Sequence, residues 1–483
     1  MNYFINFSDS GKYADVARSL FINNNFDSLF SFWGYKMSDW ILPVTPYSIS
    51  VFFKIFGIND FAVIATSFFY FVLSLIFVFL LTQKIYKNKL TSTLSIIAVG
   101  SNYNLINYAT SGASESPFIF ELLAGTYFLS LKKWWGNTLG VIFLVLMYFT
   151  RPQAIIYIFG LVLYYFILNF SWKKATLYTF ISFLFGTFIY GVFSKQGLIA
   201  VTQNLPGIAV SDSLRGSSVD FNLLILIKKV FYNLYNFYKA LPDIANPYMW
   251  GLFVIGLSSW SKVKLQNSFK ISVLFVTLLT FFVTALTIPF YRYIHPVVPL
   301  VYIVAIATLV DIINYFVSTW DIKSKNVAVG VVSTVLVLFF TVGQTLGILF
   351  LDSRFERKMK NTDKAPIYVE MSYKLKEITN KDMVIVTNLD TWGSWYGERK
   401  TIWFPLDPSM ILPVQDNIDA IYLTSYKMDD ENYYMGEAWR EIFESPEKQT
   451  ILPDFKFVGE YEFKSENNYE RENGRAVLLM RAE

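Results

Sequence analysis

Phe61–Thr82 reads FAVIATSFFYFVLSLIFVFLLT, 22 residues with no charged side chain. A helix of about 20 such residues crosses the hydrocarbon core of a bilayer. Four more runs have the same character: Ala175–Ser194, Ile271–Ile288, Ile294–Val317 and Asn326–Leu351. Leu90–Thr110, Pro117–Leu131, Thr138–Thr150, Gln153–Asn169 and Pro247–Trp260 are less uniform and bring the expected total to about ten spans. Phe221–Ala240 is apolar too, but Lys228, Lys229 and Lys239 suit it to the membrane surface. The whole chain of 483 residues agrees: 54% is hydrophobic and only 16% charged, against about 25% charged in soluble domains. Most of it must therefore face lipid. This is a polytopic α-helical membrane protein.

Its charge is divided. Residues 353–483 hold 18 Lys/Arg and 24 Asp/Glu, a net of −6, while residues 1–352 hold 23 and 13, a net of +10. A membrane body, 1–352, thus gives way to a soluble domain, 353–483. The soluble part alternates strand-like stretches (Met383–Asn388, Thr401–Phe404, Ala420–Thr424, Phe455–Phe463, Ala476–Met480) with helical ones (Pro366–Ile378, Tyr433–Phe443), an α/β pattern. Alternate loops of the body carry Lys84, Lys87, Lys89; Lys132, Lys133; Lys173, Lys174; Lys262, Lys264, Lys270; and Lys323, Lys325, with Asp321 their one acid. The positive-inside rule makes that side cytoplasmic. Residues 1–60 then form a first extracytoplasmic loop, and the C-terminal domain lies extracytoplasmic as well. Met1–Phe7 is too short and too polar for a signal peptide. Either the first span carries a short N-terminus across, or a further span precedes it.

Composition also narrows the chemistry. The overall balance of +4 is too mild for a nucleic-acid partner. With no Cys and one His, thiolate chemistry, disulfides and His-rich metal sites are excluded, which leaves carboxylates and arginines. Asp9, in Ser8-Asp9-Ser10-Gly11-Lys12-Tyr13, is either the N-cap of a helix or a carboxylate able to take a proton from a hydroxyl. Asp15, on the same segment, is expected to face solvent. Glu115, two residues before Pro117, either compensates a helix dipole or converges with Asp9 at the same membrane depth. Arg151-Pro152 interrupts an apolar run, so Arg151 either snorkels or holds a lipid phosphate. Arg292, between Tyr291 and Tyr293, is an aromatic-belt anchor or a phosphate ligand. His295 reads as an interfacial hydrogen-bonder, and Glu121 and Asp311 as acids that pair within the bundle. Trp392–Thr401 either packs strand ends or stacks on sugar rings.

These motifs, in this order, resemble the GT-C superfamily of integral-membrane glycosyltransferases. The likeness is to its protein-mannosyltransferase-like and aminoarabinose-transferase-like branch. It is carried by Asp9, Tyr13 and Ala17; by Pro43, Pro46 and Tyr47; by Phe56-Gly57-Ile58-Asn59-Asp60-Phe61-Ala62; by Ser111–Pro117, Thr150-Arg151-Pro152 and Arg292-Tyr293; and by Trp395-Tyr396-Gly397 with Arg399 and Thr401. Ser10 stands where many members have a second acid. The resemblance implies inverting transfer of a sugar from a polyprenyl-phosphate donor to a glycan, lipid or protein acceptor of the cell envelope, at the extracytoplasmic face of the cytoplasmic membrane. It implies Asp9 as general base with Glu115 orienting the acceptor. Arg292, Arg151, Tyr13 and Tyr293 would bind substrate and phosphate, with no cofactor. The rival reading, a transporter or flippase of lipid-linked substrates, would need more polar residues deep in the helices than Glu121 and Asp311. A non-catalytic scaffold is the second rival. If the transfer reading holds, Asp9 and Arg292 should line one outward-opening cavity.

Overall fold

A computed structural model describes residues 4–5, 7–169, 223–319, 324–343, 345–346, 365–428, 435–464 and 473–482. The expected span Ala175–Ser194, the Lys173–Lys174 loop and the charge boundary at Asp352 lie outside these residues.

Helix α1 (Ser8–Asn23) is followed by two short strands, β1 (Phe30–Phe32) and β2 (Tyr35–Lys36). Next come α2 (Val44–Phe56), α3 (Asp60–Tyr86), α4 (Lys89–Gly100), α5 (Tyr103–Ser111), α6 (Glu115–Ser130), α7 (Trp134–Thr150) and α8 (Ala154–Asn169). Among the described residues, four helical segments are long and apolar enough to cross a membrane: α3, Lys264–Leu286, Tyr291–Thr319 and Lys325–Val342. Tyr291–Thr319 is the central one, with 89% of its most apolar window buried. Five apolar helices among the described residues are shorter, and one expected span is broken. Leu90–Thr110 is α4 and α5 joined at Asn102, whose side chain accepts from Leu105 N at 3.2 Å and donates to Tyr302 OH at 3.2 Å. The break thus has its own cap, and its amide is satisfied within the bundle.

Chain direction sorts the loops. Because α3, α6 and α8 start at the end of the bundle that carries Asp60, Glu115 and Arg151, the Lys84–Lys89 and Lys132–Lys133 loops fall at the opposite end. Gln266 Nε2 donating to Ile85 O at 3.3 Å puts the Lys262–Lys270 segment there too. Helices pack closely through small residues: a Cβ on Gly160 would fall 1.9 Å from Val276 Cγ2. Glu121 is buried and accepts from Thr150 Oγ1 at 2.8 Å, whereas Asp311 is exposed.

The α/β domain contains the expected elements: β3 (Val384–Thr387), β4 (Lys400–Trp403), β5 (Ala420–Thr424), β6 (Phe455–Phe463) and β7 (Gly474–Arg481), with helices Ile367–Ile378 and Glu437–Glu444. Its seven-stranded sheet runs β2-β1-β4-β3-β5-β7-β6. Two of these strands come from before the first span, since β1 pairs in parallel with β4 through Phe30↔Thr401 and Ser31↔Ile402. The N-terminal segment is therefore sewn into the α/β domain.

A second seam lies at the start of α3. Asp60 is buried, and it accepts from Trp395 Nε1 and Tyr396 OH, each at 2.7 Å, and from Ile5 N at 3.3 Å. The Trp395–Tyr396 motif thus packs on the membrane body. Replacing Asp60 by Ala leaves the Trp395 indole N–H buried without its acceptor and the Tyr396 phenol with only the longer 3.4 Å bond to Ile5 O, so the detergent-solubilised protein should lose about 3 kcal/mol of stability. Thermal unfolding checks this, and an unchanged midpoint would show that the seam is not held by Asp60.

Candidate functional site

The first turn of α1 carries Asp9, with Lys12 and Tyr13 one turn further along the same face. Phe7, not Asp9, is the N-cap residue, and no side chain caps the helix. The N-cap reading of Asp9 therefore fails, which leaves its carboxylate available for other partners.

Opposite α1 are three chain reversals. The turn before α6 uses Gly112 at φ 75° and delivers Ser114 and Glu115. The α7 helix stops at Arg151, whose extended backbone turns its side chain toward that same point. A 3-10 turn, Tyr291–Tyr293, delivers Arg292.

These groups form one chain of alternating charge. Arg292 is ion-paired with Asp9 Oδ2, and its Nε lies 3.8 Å from Glu115 Oε1. Arg151 Nη1 lies 2.5 Å from the same Glu115 oxygen and donates to Ser114 Oγ at 2.9 Å. Ser114 Oγ in turn donates to Tyr13 OH at 3.0 Å. Tyr293 lies under both guanidiniums, 5.3 Å from that of Arg292 and 5.5 Å from that of Arg151. Lys12 Nζ sits 3.3 Å from Asp9 Oδ1 and 3.9 Å from Asp390 Oδ1. In order, the chain is Asp390, Lys12, Asp9, Arg292, Glu115, Arg151: three acids and three cations.

Access is graded along it. Asp9, Arg292 and Lys12 in the middle are 24%, 21% and 15% exposed, while Glu115 and Asp390 are 1% exposed and Arg151 6%. The inner groups can meet a ligand, and the outer ones hold them in place. Glu115 Oε1 is thus held between two cations, and the partly open Arg292 is the guanidinium that a polar ligand can reach.

Burial alone would raise the Asp9 carboxyl, but the charges of Arg292 and Lys12 outweigh it and hold Asp9 well below the usual carboxylate range. For Lys12, burial opposes the charged form, yet Asp390 and Asp9 raise it above the usual lysine value.

Asp9, Glu115, Arg151, Arg292, Tyr13 and Tyr293 all meet here. Lys12 and Asp390 were not expected; Lys12 shares the Asp9 face in sequence, but nothing in the chain pairs it with a residue so distant. The cavity expectation is only half met. Asp9 and Arg292 are in contact, but a cavity of about 1180 Å³ at the junction lies on the other face of α1, lined by Asp15, Arg18, Asp60, Tyr373, Trp395 and Tyr396 among others. Asp15, expected in solvent, is buried there. It pairs with Arg18 and accepts from Ser28 Oγ at 2.6 Å and Leu29 N at 2.7 Å. Helical periodicity puts Asp15 and Arg18 behind the Asp9 face. His295 is also buried, hydrogen-bonded to Tyr108 OH.

Residues 42–196 match the family described as dolichyl-phosphate-mannose-protein mannosyltransferase. No curated protein sequence matches the chain. The fold is similar to that of ArnT from Cupriavidus metallidurans in the apo state, with a TM-score of 0.53, and of the same protein bound to undecaprenyl phosphate, with 0.54. Each comparison covers 99% of this chain and 94% of that one, at 10% identity. Both findings agree with the GT-C resemblance read from the motifs, and the chain is a multi-pass membrane protein with an ArnT-like fold.

The Asp9–Arg292 pair should register as a coupling of about 1 kcal/mol in a double-mutant cycle of Asp9→Asn and Arg292→Gln on stability, its size discounted for partial exposure. A depressed carboxyl contributes fully above its unfolded value of about 4 and loses that contribution as pH falls through its folded value. The coupling should therefore be flat from neutral pH down to about 4 and shrink below it. Additive single effects at neutral pH contradict the pairing.

Proposed function

We propose that the protein transfers a sugar from a polyprenyl-phosphate-linked donor to an acceptor hydroxyl of the cell envelope, on the extracytoplasmic face, with inversion and with Asp9 as general base. The observation that carries this reading is the contact between a partly open carboxylate, Asp9, and a partly open guanidinium, Arg292. Glycosyl transfer from a lipid phosphate needs these two groups side by side. One takes the proton from the attacking hydroxyl, and the other meets the charge that develops on the departing phosphate. The matched family over residues 42–196 and the similar fold of ArnT, solved with undecaprenyl phosphate, support a donor of this class.

In a single displacement, the acceptor oxygen attacks the anomeric carbon while its proton passes to Asp9. The bond from that carbon to the phosphate oxygen breaks, and polyprenyl phosphate leaves with the electron pair. One backside attack inverts the anomeric centre. Before substrate binds, Asp9 is a poor base, because Arg292 and Lys12 stabilise its charge. A phosphate oxygen competes for the Arg292 fork. As the guanidinium turns to the phosphate, Asp9 loses a counter-charge and becomes more basic. Donor binding and activation of the base are then one event. Glu115, fixed by Arg151, keeps Arg292 from leaving the site. Tyr293 shields both guanidiniums from lipid.

Asp9→Asn should lower transfer by roughly 10²- to 10⁴-fold, the contribution general-base catalysis typically makes. The protein should still fold, because the amide is nearly isosteric. The check uses protein in liposomes with a panel of polyprenyl-phosphate sugars carrying label in the sugar, together with envelope material as acceptor, and reads the label passing from donor to acceptor. Wild-type turnover in Asp9→Asn removes the mechanism.

A further inference from the structure

The α/β domain reaches into the membrane body's charge chain through one residue. Asp390 follows β3 in the run Asn388-Leu389-Asp390-Thr391-Trp392, and this turn is fixed at both ends. On one side the Asn388 side chain brackets β5, donating to Thr424 O at 2.7 Å and accepting from Thr424 N at 2.8 Å. On the other, Thr391 Oγ1 donates to Ser8 O at 3.0 Å, at the very start of α1. The approach there is tight: a Cβ on Gly11 would lie 2.5 Å from Thr391 Oγ1. Held so, Asp390 takes a left-handed backbone, φ 58°, and its buried carboxylate lies 3.9 Å from the ammonium of Lys12.

A left-handed position favours Asp, Asn or Gly for backbone reasons alone. Backbone preference does not explain a charge. A fully buried carboxylate is costly unless something compensates it, and here a cation already engaged with Asp9 lies beside it. Lys12 is thus shared between two acids, one from each part of the protein.

We propose that Asp390 is a positioning residue of the transfer site: by claiming part of Lys12, it limits that ammonium to Asp9 Oδ1 and leaves Oδ2, once Arg292 turns to the phosphate, open to the acceptor hydroxyl. The inference rests on the proposed reaction and assigns the α/β domain a direct part in it. Without the Asp390 charge, Lys12 has a single counter-ion. It moves onto Asp9, which is then a weaker base and less accessible, whereas Arg292 and the phosphate side of the site are untouched. The change should therefore appear in the catalytic step and not in binding of the lipid phosphate.

The test compares Asp390→Asn and Asp390→Gly, both compatible with the left-handed turn; Asn also keeps an oxygen for the 2.8 Å bond from Thr391 N. With the labelled donor that wild type turns over, kcat should fall roughly 10- to 100-fold in both variants, the size typical of a misplaced catalytic group. Affinity for undecaprenyl phosphate, measured directly as the binding probe, should stay within about twofold of wild type. In a Lys12→Gln background, Asp390→Asn should cause no further loss, because Asp390 acts through Lys12. Wild-type kcat in both Asp390 variants overturns the proposal, as does a loss that simply adds to that of Lys12→Gln. Asp9→Asn is assayed alongside. If it is inactive while the Asp390 variants are not, only the role of Asp390 fails; if it is active, the reaction itself is misread and the inference falls with it.

Discussion

Asp9 is a carboxylate held between two cations, and the rest of the structure is organised around that arrangement. Lys12 lies on one side and Arg292 on the other, with Asp390 and Glu115 beyond them and Arg151 at the end. Among the described residues the acids and cations of this chain of charges are equal in number, so their charges compensate one another. That balance makes it tolerable at a site where desolvation penalises every ion. In the proposed reaction it also makes the cluster responsive, because an arriving phosphate must take a cation from a carboxylate. Stability in the resting state and activation in the loaded state then have the same origin.

Helix α1 turns the cluster into a junction. Its Asp9 face meets the reversals of the membrane bundle. Its Asp15–Arg18 face meets the α/β domain, where Arg18 donates to Trp395 O at 2.9 Å and Ser394 O at 2.7 Å. Strands β1 and β2 continue the same segment into the seven-stranded sheet, and Asp60 ties the start of α3 to Trp395 and Tyr396. Three pieces of the N-terminal segment, α1, β1 and the start of α3, are thus fixed by residues more than 300 positions away. Such fixing suits a site whose charges must stay within about half an ångström of a productive geometry.

Much of this was legible in the amino-acid order. Apolar runs marked the long helices because bilayer thickness imposes a length, and Lys-rich loops gave the bundle a consistent polarity. The soluble strands showed as short β-branched and aromatic stretches between turns. Asp9, Glu115, Arg151 and Arg292 stood out because a charge beside an apolar run needs a reason. Other features depend on tertiary contact and left no local trace. Asn102 breaks a helix by capping the next one, inside a stretch that reads as a single span. Asp15 looked solvent-facing because its partners Ser28 and Leu29 arrive only once the chain turns back on α1. Asp390 sits in an ordinary-looking Asn-Leu-Asp-Thr turn, and its tie to Lys12 spans nearly the whole sequence.

The central claim is that the lipid phosphate and Asp9 compete for Arg292. A structure of the protein with undecaprenyl phosphate bound tests this most directly. The account predicts that the Arg292 guanidinium has turned onto the phosphate and no longer contacts Asp9, whose freed oxygen faces the space for the acceptor, while Arg151 remains on Glu115. A phosphate seated elsewhere, with the Asp9–Arg292 pair intact, would contradict it.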